Sequence, residues 1–363
     1  MTADIIEAKE LCNINPVFGN FSFDKHEQIV FCNDEMTGLK AIIGIHNTTL
    51  GPALGGTRMW NYKNEAEALN DVLRLSRGMT YKAAITGLNL GGGKAVIIGD
   101  AKTQKNDALM RRFGEFVHSL SGKYITAEDV GMETRDMDIV REVTPYVTGI
   151  SESKGGAGNP SPITAYGVFM GMKAAAKFKF GTDNLAGKKI LVQGIGHVGE
   201  TIVDLATKEG AEIIINDINK EQLEYVSKKY GATIHHDLDI YGLDVDIYAP
   251  CALGATINDN TIDRINAKVI AGAANNQLMD EIKHGRLLKE KGIAYAPDFL
   301  INAGGIINVY AELEGYDKAE IIRKTENIYN TTLDIFKLSE EKNITTHQAA
   351  FDIAQARIDA KRN

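Results

Sequence analysis

The segment from residue 188 to residue 219 carries the pattern that most constrains the fold. Its apolar run ILVQ predicts a buried strand, and Gly194, Gly196 and Gly199 then form a GxGxxG motif. An amphipathic helix and a second strand, EIIIND, follow and end at Asp217, an order and spacing typical of a dinucleotide-binding βαβ unit. Such glycines let a pyrophosphate approach the helix N-terminus, and the terminal acid accepts hydrogen bonds from the adenine ribose. Since a carboxylate at Asp217 would repel a 2′-phosphate, the segment predicts NAD as the cofactor rather than NADP.

A second feature is the stretch 76–99, in which Lys82 and Lys94 stand on either side of a loop that ends in three glycines. Glycines lack β-carbons, so the backbone could approach a ligand closely and Lys94 could project into the space left. The run AVIIG that follows predicts a buried strand. The stretch is not a nucleotide P-loop, because Leu88 occupies the first glycine position of that motif and Ala95 follows the lysine. From spacing alone, a ligand loop and a plain turn with two surface lysines are equally consistent.

The chain of 363 residues is longer than one hydrophobic core usually supports, so two domains are predicted. Residues 28–58 carry three strand-like runs that predict the sheet of the first domain. The segment 151–162 is rich in Ser, Gly, Asn and Pro and is typical of a linker. Beyond it, strands alternate with helices in the manner of a doubly wound sheet. The predicted fold class is α/β, with an N-terminal mixed α/β sheet domain, a doubly wound Rossmann domain and an active-site cleft between them.

The domain boundaries follow from these patterns. We expect residues 1–150 to form the first domain and residues 151–329 to form the NAD-binding Rossmann domain. Two long helical patterns close the chain. They are expected to pack back across the first domain, so that residues 330–363 complete it.

Charge and cysteine content exclude several classes of protein. A formal net charge of -8 argues against nucleic acid as the main partner, because binding phosphates needs a basic face. Cys12, Cys32 and Cys251 are widely spaced and form neither a disulfide framework nor a CxxC metal site, which favours a reducing compartment. The N-terminus lacks the apolar core of a signal peptide, and no apolar run approaches 18 residues. We therefore expect a soluble, cytoplasmic protein with no membrane partner.

Several motifs together resemble one family. GPALGGTRMW, SRGMTYK, GLNLGGGKAV, ITAEDVG, SPITAYGV and NAGGIINV, with the GxGxxG unit, are similar to the Glu/Leu/Phe/Val (amino-acid) dehydrogenase superfamily and, within it, to the leucine dehydrogenase branch. The resemblance spans essentially the whole chain. It implies NAD-dependent, reversible oxidative deamination of branched-chain L-amino acids to 2-oxo acids and ammonia.

The resemblance also implies roles for three polar residues. Lys94 would be the catalytic general acid/base, Lys82 would bind the substrate α-carboxylate, and Asp129 of ITAEDVG would assist proton transfer. An ordinary lysine is fully charged near neutral pH, so the base needs a lowered pKa. Burial and a neighbouring cation both lower a lysine pKa, and Lys82 is expected to be that cation. The reaction requires no metal.

Substrate choice is predicted from the residue before Gly55. Glutamate dehydrogenases of this superfamily carry a lysine there, whereas this chain has Leu54, so a distal carboxylate would be buried without a partner and glutamate rejected. Met79, Ile306 and Val309 resemble the other pocket positions and are apolar. Leucine, valine and isoleucine should all react. Phenylalanine or valine dehydrogenase activity and a catalytically silent NAD- or amino-acid-binding relative remain the alternatives.

Beyond the glycines and Asp217, four residues are expected at the cofactor: Thr164, His197, Val198 and Asn275. Asn275 follows a predicted strand and could reach the nicotinamide, although paired asparagines are often turn formers. The resemblance further implies a homo-oligomer, with an octamer as the expected assembly, and hinge closure of the cleft over substrate and cofactor.

Overall fold

The computed structural model describes residues 17–20, 22–237, 239–315 and 317–362. Cys12 and the N-terminal segment therefore lie outside the described residues. By compactness the chain divides into two units. The first comprises the described residues up to Thr80 together with Asn89–Ile150, and the second comprises Tyr81–Leu88 together with the described residues from Ser151 onward.

The first unit is built on a five-stranded mixed sheet of order β1-β2-β4-β3-β5. The pairs β1/β2 and β2/β4 are antiparallel, whereas β3 lies parallel to both β4 and β5. Residues at the end of β3 therefore have neighbours from both β4 and β5. The strands are β1 (Gln28–Asp34), β2 (Leu39–Asn47), β3 (Ala53–Trp60), β4 (Gly91–Ile98) and β5 (Tyr124–Glu128).

Helices α1 (Glu65–Ile85), α2 (Asp107–Ser119) and α3 (Thr134–Arg141) accompany this sheet. The start of α1 follows from Asn64, whose side-chain oxygen accepts a hydrogen bond from the backbone N–H of Glu67 at 2.9 Å and so satisfies a free helix-end donor. Asn106 caps α2 in the same way. Apolar side chains of β2, β4, β5 and α2 contribute to one buried core, which includes Ile43, Ile97, Phe113 and Tyr124.

The second unit is built on a six-stranded, all-parallel sheet of order β11-β10-β9-β6-β7-β8. The first of these strands in the sequence, β6, lies at the centre, and the order reverses on either side of it, which is the doubly wound arrangement. The predicted α/β fold class is therefore confirmed. The strands are β6 (Lys189–Gln193), β7 (Glu212–Asn216), β8 (Thr233–Ile234), β9 (Ile247–Pro250), β10 (Val269–Ile270) and β11 (Ala294–Tyr295).

Eight α-helices are described in residues 151–237, 239–315 and 317–362. None of the described helices is long and apolar enough to cross a membrane. They are α4 (Ser161–Phe180), α5 (His197–Lys208), α6 (Lys220–Tyr230), α7 (Glu281–Glu290), α8 (Asp298–Ile301), α9 (Gly304–Glu314), α10 (Lys318–Lys342) and α11 (Thr346–Arg362).

The C-terminal helices group differently from the sequence-based expectation. They were expected to complete the first domain, whereas α10 and α11 belong to the second unit. The reason is that α10 packs along α4. In addition, the Arg357 guanidinium of α11 donates to the carbonyl oxygens of Ala84, at 3.1 Å, and Leu88, at 2.6 Å, and both acceptors also belong to the second unit.

The three consecutive glycines lie inside β4 and not in the predicted loop. A β-carbon on Gly92 would lie 2.5 Å from the carbonyl oxygen of Ser76 in α1. A β-carbon on Gly93 would lie 2.6 Å from the ring of Tyr124 in β5. The missing β-carbons therefore let the helix and the aromatic ring pack directly on the strand.

Candidate active site

The structure brings Lys94 and Asp129 together. Lys94 lies within β4 and is only 5% exposed, and Asp129 directly follows β5. The lysine Nζ lies 3.2 Å from Asp129 Oδ2. The two residues meet because β4 and β5 flank β3 on opposite sides, so that side chains at this end of the sheet can reach one another. A nearly buried ammonium with one carboxylate partner is an arrangement suited to proton transfer.

Burial sets the protonation behaviour of this pair. Burial lowers the pKa of Lys94 below its ordinary value, with the Asp129 carboxylate acting in the opposite direction and the Arg58 cation adding to the decrease. Burial disfavours the ionised form of Asp129, yet Lys94 and Arg58 together hold its pKa below the usual range. The site therefore combines an ionised carboxylate with a lysine whose neutral form is more accessible than that of a surface lysine.

Arg58 is the functional candidate that the sequence analysis missed. It lies on β3 and its Nε donates to Asp129 Oδ2 at 2.9 Å. Within the first unit, Arg58 is a cation that acts on Lys94, whereas the sequence analysis considered only Lys82 for that part, and the Lys82 expectation stays a prediction. The sequence does contain a signal for Arg58. The run GGTRMW predicts a largely buried strand, and an arginine inside such a strand needs a charged partner.

Lys82 lies near the end of α1 and is partly exposed. Within the second unit it acts electrostatically on Asp298, a buried carboxyl at the start of α8. Burial raises the pKa of Asp298, and the Lys82 ammonium partly opposes that increase. Lys82 therefore lies close to a buried acid that the sequence analysis did not identify.

The predicted side-chain pocket positions are divided between the two units. Leu54, on β3, is 2% exposed, and Met79, on α1, is partly buried. Gly55 lies so close to β4 that a β-carbon there would overlap the backbone of Gly93. In the second unit, both remaining positions lie on α9, where Ile306 is buried and Val309 is partly exposed.

The glycine motif forms the turn that its pattern predicts. Gly194 has a φ of +89°, a conformation that favours glycine, and a β-carbon on Gly199 would overlap the carbonyl oxygen of Gly194. A β-carbon on Gly196 would meet no atom within 4 Å. His197 and Val198 form the first turn of α5. The loop thus presents an open helix N-terminus, which suits a pyrophosphate.

Asp217 stands beside this loop. Its Oδ2 accepts a hydrogen bond from the backbone N–H of Ile195 at 2.8 Å, and its Oδ1 accepts one from Asn219 at 2.8 Å. A carboxylate has about four lone-pair sites, so two further hydrogen bonds remain possible. The arrangement therefore fits a dinucleotide whose ribose hydroxyls reach Asp217.

A buried amide, Asn302, contacts the exposed Asn275. The Asn302 side-chain amide donates to Asn275 Oδ1 at 2.8 Å and to the carbonyl oxygen of Ala273 at 3.1 Å. Asn302 Oδ1 is buried and has no hydrogen-bond partner among the described residues. Buried acceptors normally have a hydrogen-bond partner, and for this oxygen the described residues provide none. The sequence analysis named Asn275 but missed Asn302, although both lie at the carboxyl side of neighbouring strands.

Thr164 lies on α4, where the first turn faces the start of α9. A β-carbon on Gly305 would lie 3.2 Å from Thr164 Oγ1. Together with the glycine turn and the unpaired Asn302 oxygen, these residues fit a bound dinucleotide. Within the described residues, no group of three or more His, Cys, Asp or Glu side chains is arranged to hold a metal ion.

The chain matches known proteins over almost its whole length. Residues 26–146 match the family model described as Glu/Leu/Phe/Val dehydrogenase, dimerisation domain, and residues 155–219 and 215–362 match the model described as Glutamate/Leucine/Phenylalanine/Valine dehydrogenase. The leucine dehydrogenase of Bacillus subtilis (strain 168) is 56% identical over 93% of this chain and 92% of that protein. The leucine dehydrogenase of Thermoactinomyces intermedius is 55% identical over the same shares of each chain.

Among solved structures, the crystal structure of L-tryptophan dehydrogenase from Nostoc punctiforme has a TM-score of 0.84 and 45% sequence identity. The match covers 93% of this chain and 97% of that one. The fold described above is therefore shared, over nearly its full length, with an enzyme whose substrate is aromatic.

Proposed function

The chain belongs to the Glu/Leu/Phe/Val dehydrogenase family, as its motifs predicted, and from that premise we propose that it catalyses the reversible oxidative deamination of branched-chain L-amino acids. Leucine is the expected substrate, with valine and isoleucine also accepted, and the products are 2-oxo acids and ammonia. The observation that carries the proposal is the buried Lys94–Asp129 pair in a chain 56% identical to a leucine dehydrogenase.

The proposed chemistry needs a base that is neutral when it acts. Bound NAD would supply the acceptor for the hydride of the substrate Cα, and the substrate itself would then carry an iminium at that carbon. Lys94 Nζ takes a proton from the water that attacks the iminium carbon and returns it to the amine of the resulting carbinolamine. As the C–N bond breaks and ammonia leaves, Nζ takes the hydroxyl proton and the C=O bond of the 2-oxo acid forms. Burial makes the neutral amine of Lys94 accessible, and Asp129 orients Nζ and stabilises its charged form after proton uptake.

Substrate orientation is proposed to depend on Lys82. Its ammonium would pair with the substrate α-carboxylate, a role that places the second lysine of the stretch 76–99 in binding and leaves Lys94 to proton transfer. The two lysines differ in the structure in a way that supports this division. Lys94 is almost fully buried, whereas Lys82 is partly exposed and can meet an incoming carboxylate.

Selectivity is proposed to follow from apolar pocket positions. Leu54 offers no charge to a distal carboxylate, and Met79, Ile306 and Val309 are apolar as well. Burying an unpaired carboxylate costs several kcal/mol, so 2-oxoglutarate should be a poor substrate. One methylene is worth only about 1 to 3 kcal/mol, so aliphatic substrates should differ less from one another.

NAD is the proposed cofactor, held by the glycine loop with His197 and Val198, by Asp217, and by Thr164 and Asn275. Asp217 supports the preference over NADP because its carboxylate would repel a 2′-phosphate. We further propose a homo-oligomer in the cytoplasm and an octamer as its assembly. The match of residues 26–146 to a dimerisation domain supports self-association. The active-site cleft and its closure stay predictions.

The test is the initial rate of NADH oxidation with ammonia and one of three acids: 4-methyl-2-oxopentanoate, phenylpyruvate or 2-oxoglutarate. We expect the first acid to react fastest, and NADPH to be a poor replacement for NADH. A preference for phenylpyruvate would keep the mechanism and reject the assigned pocket, an outcome that the similarity to a tryptophan dehydrogenase makes worth measuring. No turnover with any of the three acids would favour a catalytically silent binder.

A further inference from the structure

Arg58 bridges two carboxylates of the first unit. Its Nε donates to Asp129 Oδ2 at 2.9 Å, and its Nη1 donates to Asp71 Oδ2 at 2.9 Å. The side chain is 24% exposed, so both ion pairs are shielded from much of the solvent. A guanidinium is planar and presents its donors in a fixed fork, so these two bonds define the position of Asp129 relative to Asp71.

The oxygen that Arg58 holds is the one that Lys94 uses. Asp129 Oδ2 is 2.9 Å from Arg58 Nε and 3.2 Å from Lys94 Nζ. Two cations therefore share one carboxylate oxygen. The shorter bond goes to the arginine, which remains charged at every pH in the working range, whereas the lysine is the group that must lose its proton.

Asp71, on α1, anchors the other end of the bridge. Tyr62 donates its hydroxyl to Asp71 Oδ2 at 2.7 Å, and Arg74 Nη2 donates to Asp71 Oδ1 at 3.1 Å. The Asp71 side chain is 14% exposed. Arg58 is thus linked through Asp71 to Tyr62 and Arg74. Because Arg58 is held in this way, its hydrogen bond to Asp129 also fixes the position of that carboxylate.

Charged groups from three elements act on Lys94: Arg58 on β3, Asp71 on α1 and Asp129 after β5. Two phenols belong to the same part of the first unit. Tyr62, between β3 and α1, donates to Asp71, and Tyr124, on β5, donates its hydroxyl to the carbonyl oxygen of Gly55 at 2.6 Å.

We propose that Arg58 is a positioning residue for the deamination reaction: it fixes Asp129 against Lys94 and offsets the carboxylate charge, so that Lys94 can release its proton. This inference rests on the proposed function. The Arg58 cation also contributes to the lowered pKa of Lys94, after burial. Without Arg58, Asp129 would pair with Lys94 alone and stabilise its ammonium form.

The main variant is Arg58→Gln, which keeps a polar side chain and removes the charge. We expect the ascending limb of the kcat/KM profile for L-leucine deamination to move to higher pH by about one unit, because Asp129 would then stabilise the Lys94 ammonium with no opposing guanidinium. Arg58→Lys keeps the charge but cannot bridge two carboxylates in the same way. For it we expect a profile close to wild type and a kcat lower by about tenfold or more.

Arg112→Gln, on α2, is the matched control. It also removes an arginine that pairs with two carboxylates, Asp34 at 3.1 Å and Glu115 at 2.6 Å, and it belongs to neither the Asp71 nor the Asp129 ion pairs. Its pH profile should coincide with that of the wild type. A shift as large as that of Arg58→Gln would show a general loss of positive charge and overturn the inference.

A second measurement does not need turnover. Competitive acetylation with acetic anhydride across a pH range, read by peptide mass spectrometry, gives the titration of the Lys94 amine in the free protein. We expect the midpoint to rise in Arg58→Gln and to stay in place in Arg112→Gln. An unchanged acetylation midpoint for Lys94 in folded Arg58→Gln overturns the inference. If Arg58→Gln does not fold, a wild-type kcat in Arg58→Lys overturns it instead. Absence of wild-type turnover with every oxo acid would instead reject the proposed function, while the acetylation result would still decide whether Arg58 acts on Lys94.

Discussion

Gly92 of strand β4 faces Thr80 of helix α1 so closely that a β-carbon on Gly92 would overlap the Thr80 backbone nitrogen. The strand that carries Lys94 and the helix that carries Met79 are therefore in direct backbone contact. This contact explains the glycine run in structural terms. It fixes the helix on the strand next to the buried lysine.

We predict that Gly92→Ala will destabilise the protein by more than about 3 kcal/mol, because backbone atoms cannot move aside as a flexible side chain can. Gly78→Ala is the matched control on α1, since a β-carbon there would meet no atom within 4 Å. Alanine is also the better helix former, so this control should gain about 0.5 to 1 kcal/mol. Urea unfolding of both variants checks the prediction, and equal stabilities would show that the contact is not as close as described.

Replacing the buried lysine should abolish most of the activity. We expect Lys94→Ala to lower kcat/KM by about 10²- to 10⁴-fold, the usual contribution of a general acid/base, without weakening NADH binding measured by fluorescence. Lys123 is an exposed lysine just before β5, and Lys123→Ala should keep the kcat/KM of the wild type. Near-wild-type turnover in Lys94→Ala would remove Lys94 from the mechanism.

The stability of the first unit should fall in mild acid because of a buried histidine pair. His46 and His26 have ring centroids 4.8 Å apart, and His46 Nδ1 lies 2.8 Å from Thr80 Oγ1. Burial and the neighbouring His26 lower the pKa of His46 from 6.5 to about 4. His46 is therefore neutral in the folded state, whereas the unfolded chain takes up a proton below pH 6.5.

Its contribution to stability is complete above pH 6.5 and is lost as the pH falls from there to about 4. At pH 5 the loss should be about 2 kcal/mol relative to pH 7. Unfolding curves at the two pH values check the magnitude. His46→Gln should flatten this dependence, and an equal pH dependence in variant and wild type would assign the acid sensitivity to other groups.

Cofactor choice should respond to Asp217. We expect Asp217→Asn to raise KM for NADH by about tenfold and to narrow the gap between NADH and NADPH, because the substitution removes the charge that repels a 2′-phosphate. Asp204 lies on α5 and pairs with Lys208, so Asp204→Asn is the control. It should leave both KM for NADH and KM for NADPH unchanged. An undiminished preference for NADH in Asp217→Asn would mean that other residues select the cofactor.

Local patterns in the sequence were sufficient for several conclusions. The strand, glycine turn, helix and acid of residues 188–219 predicted the βαβ unit, because each part depends on residues close together in the chain. The family motifs singled out Lys94 and Asp129, which the structure places 3.2 Å apart. The roles of these residues in catalysis and binding stay predictions until the variants are measured.

The tertiary structure alone decided three other points: the glycines of β4 accommodate α1 and Tyr124, Arg58 bridges Asp71 and Asp129, and the C-terminal helices group with the second unit. Each depends on contacts between segments far apart in sequence. Strand order and register determine such contacts. Hydrophobic periodicity in the sequence predicts which face of an element is buried, but it does not predict which other element covers that face. The elements and the family thus follow from local residue patterns, whereas the packing of those elements sets which side chains meet.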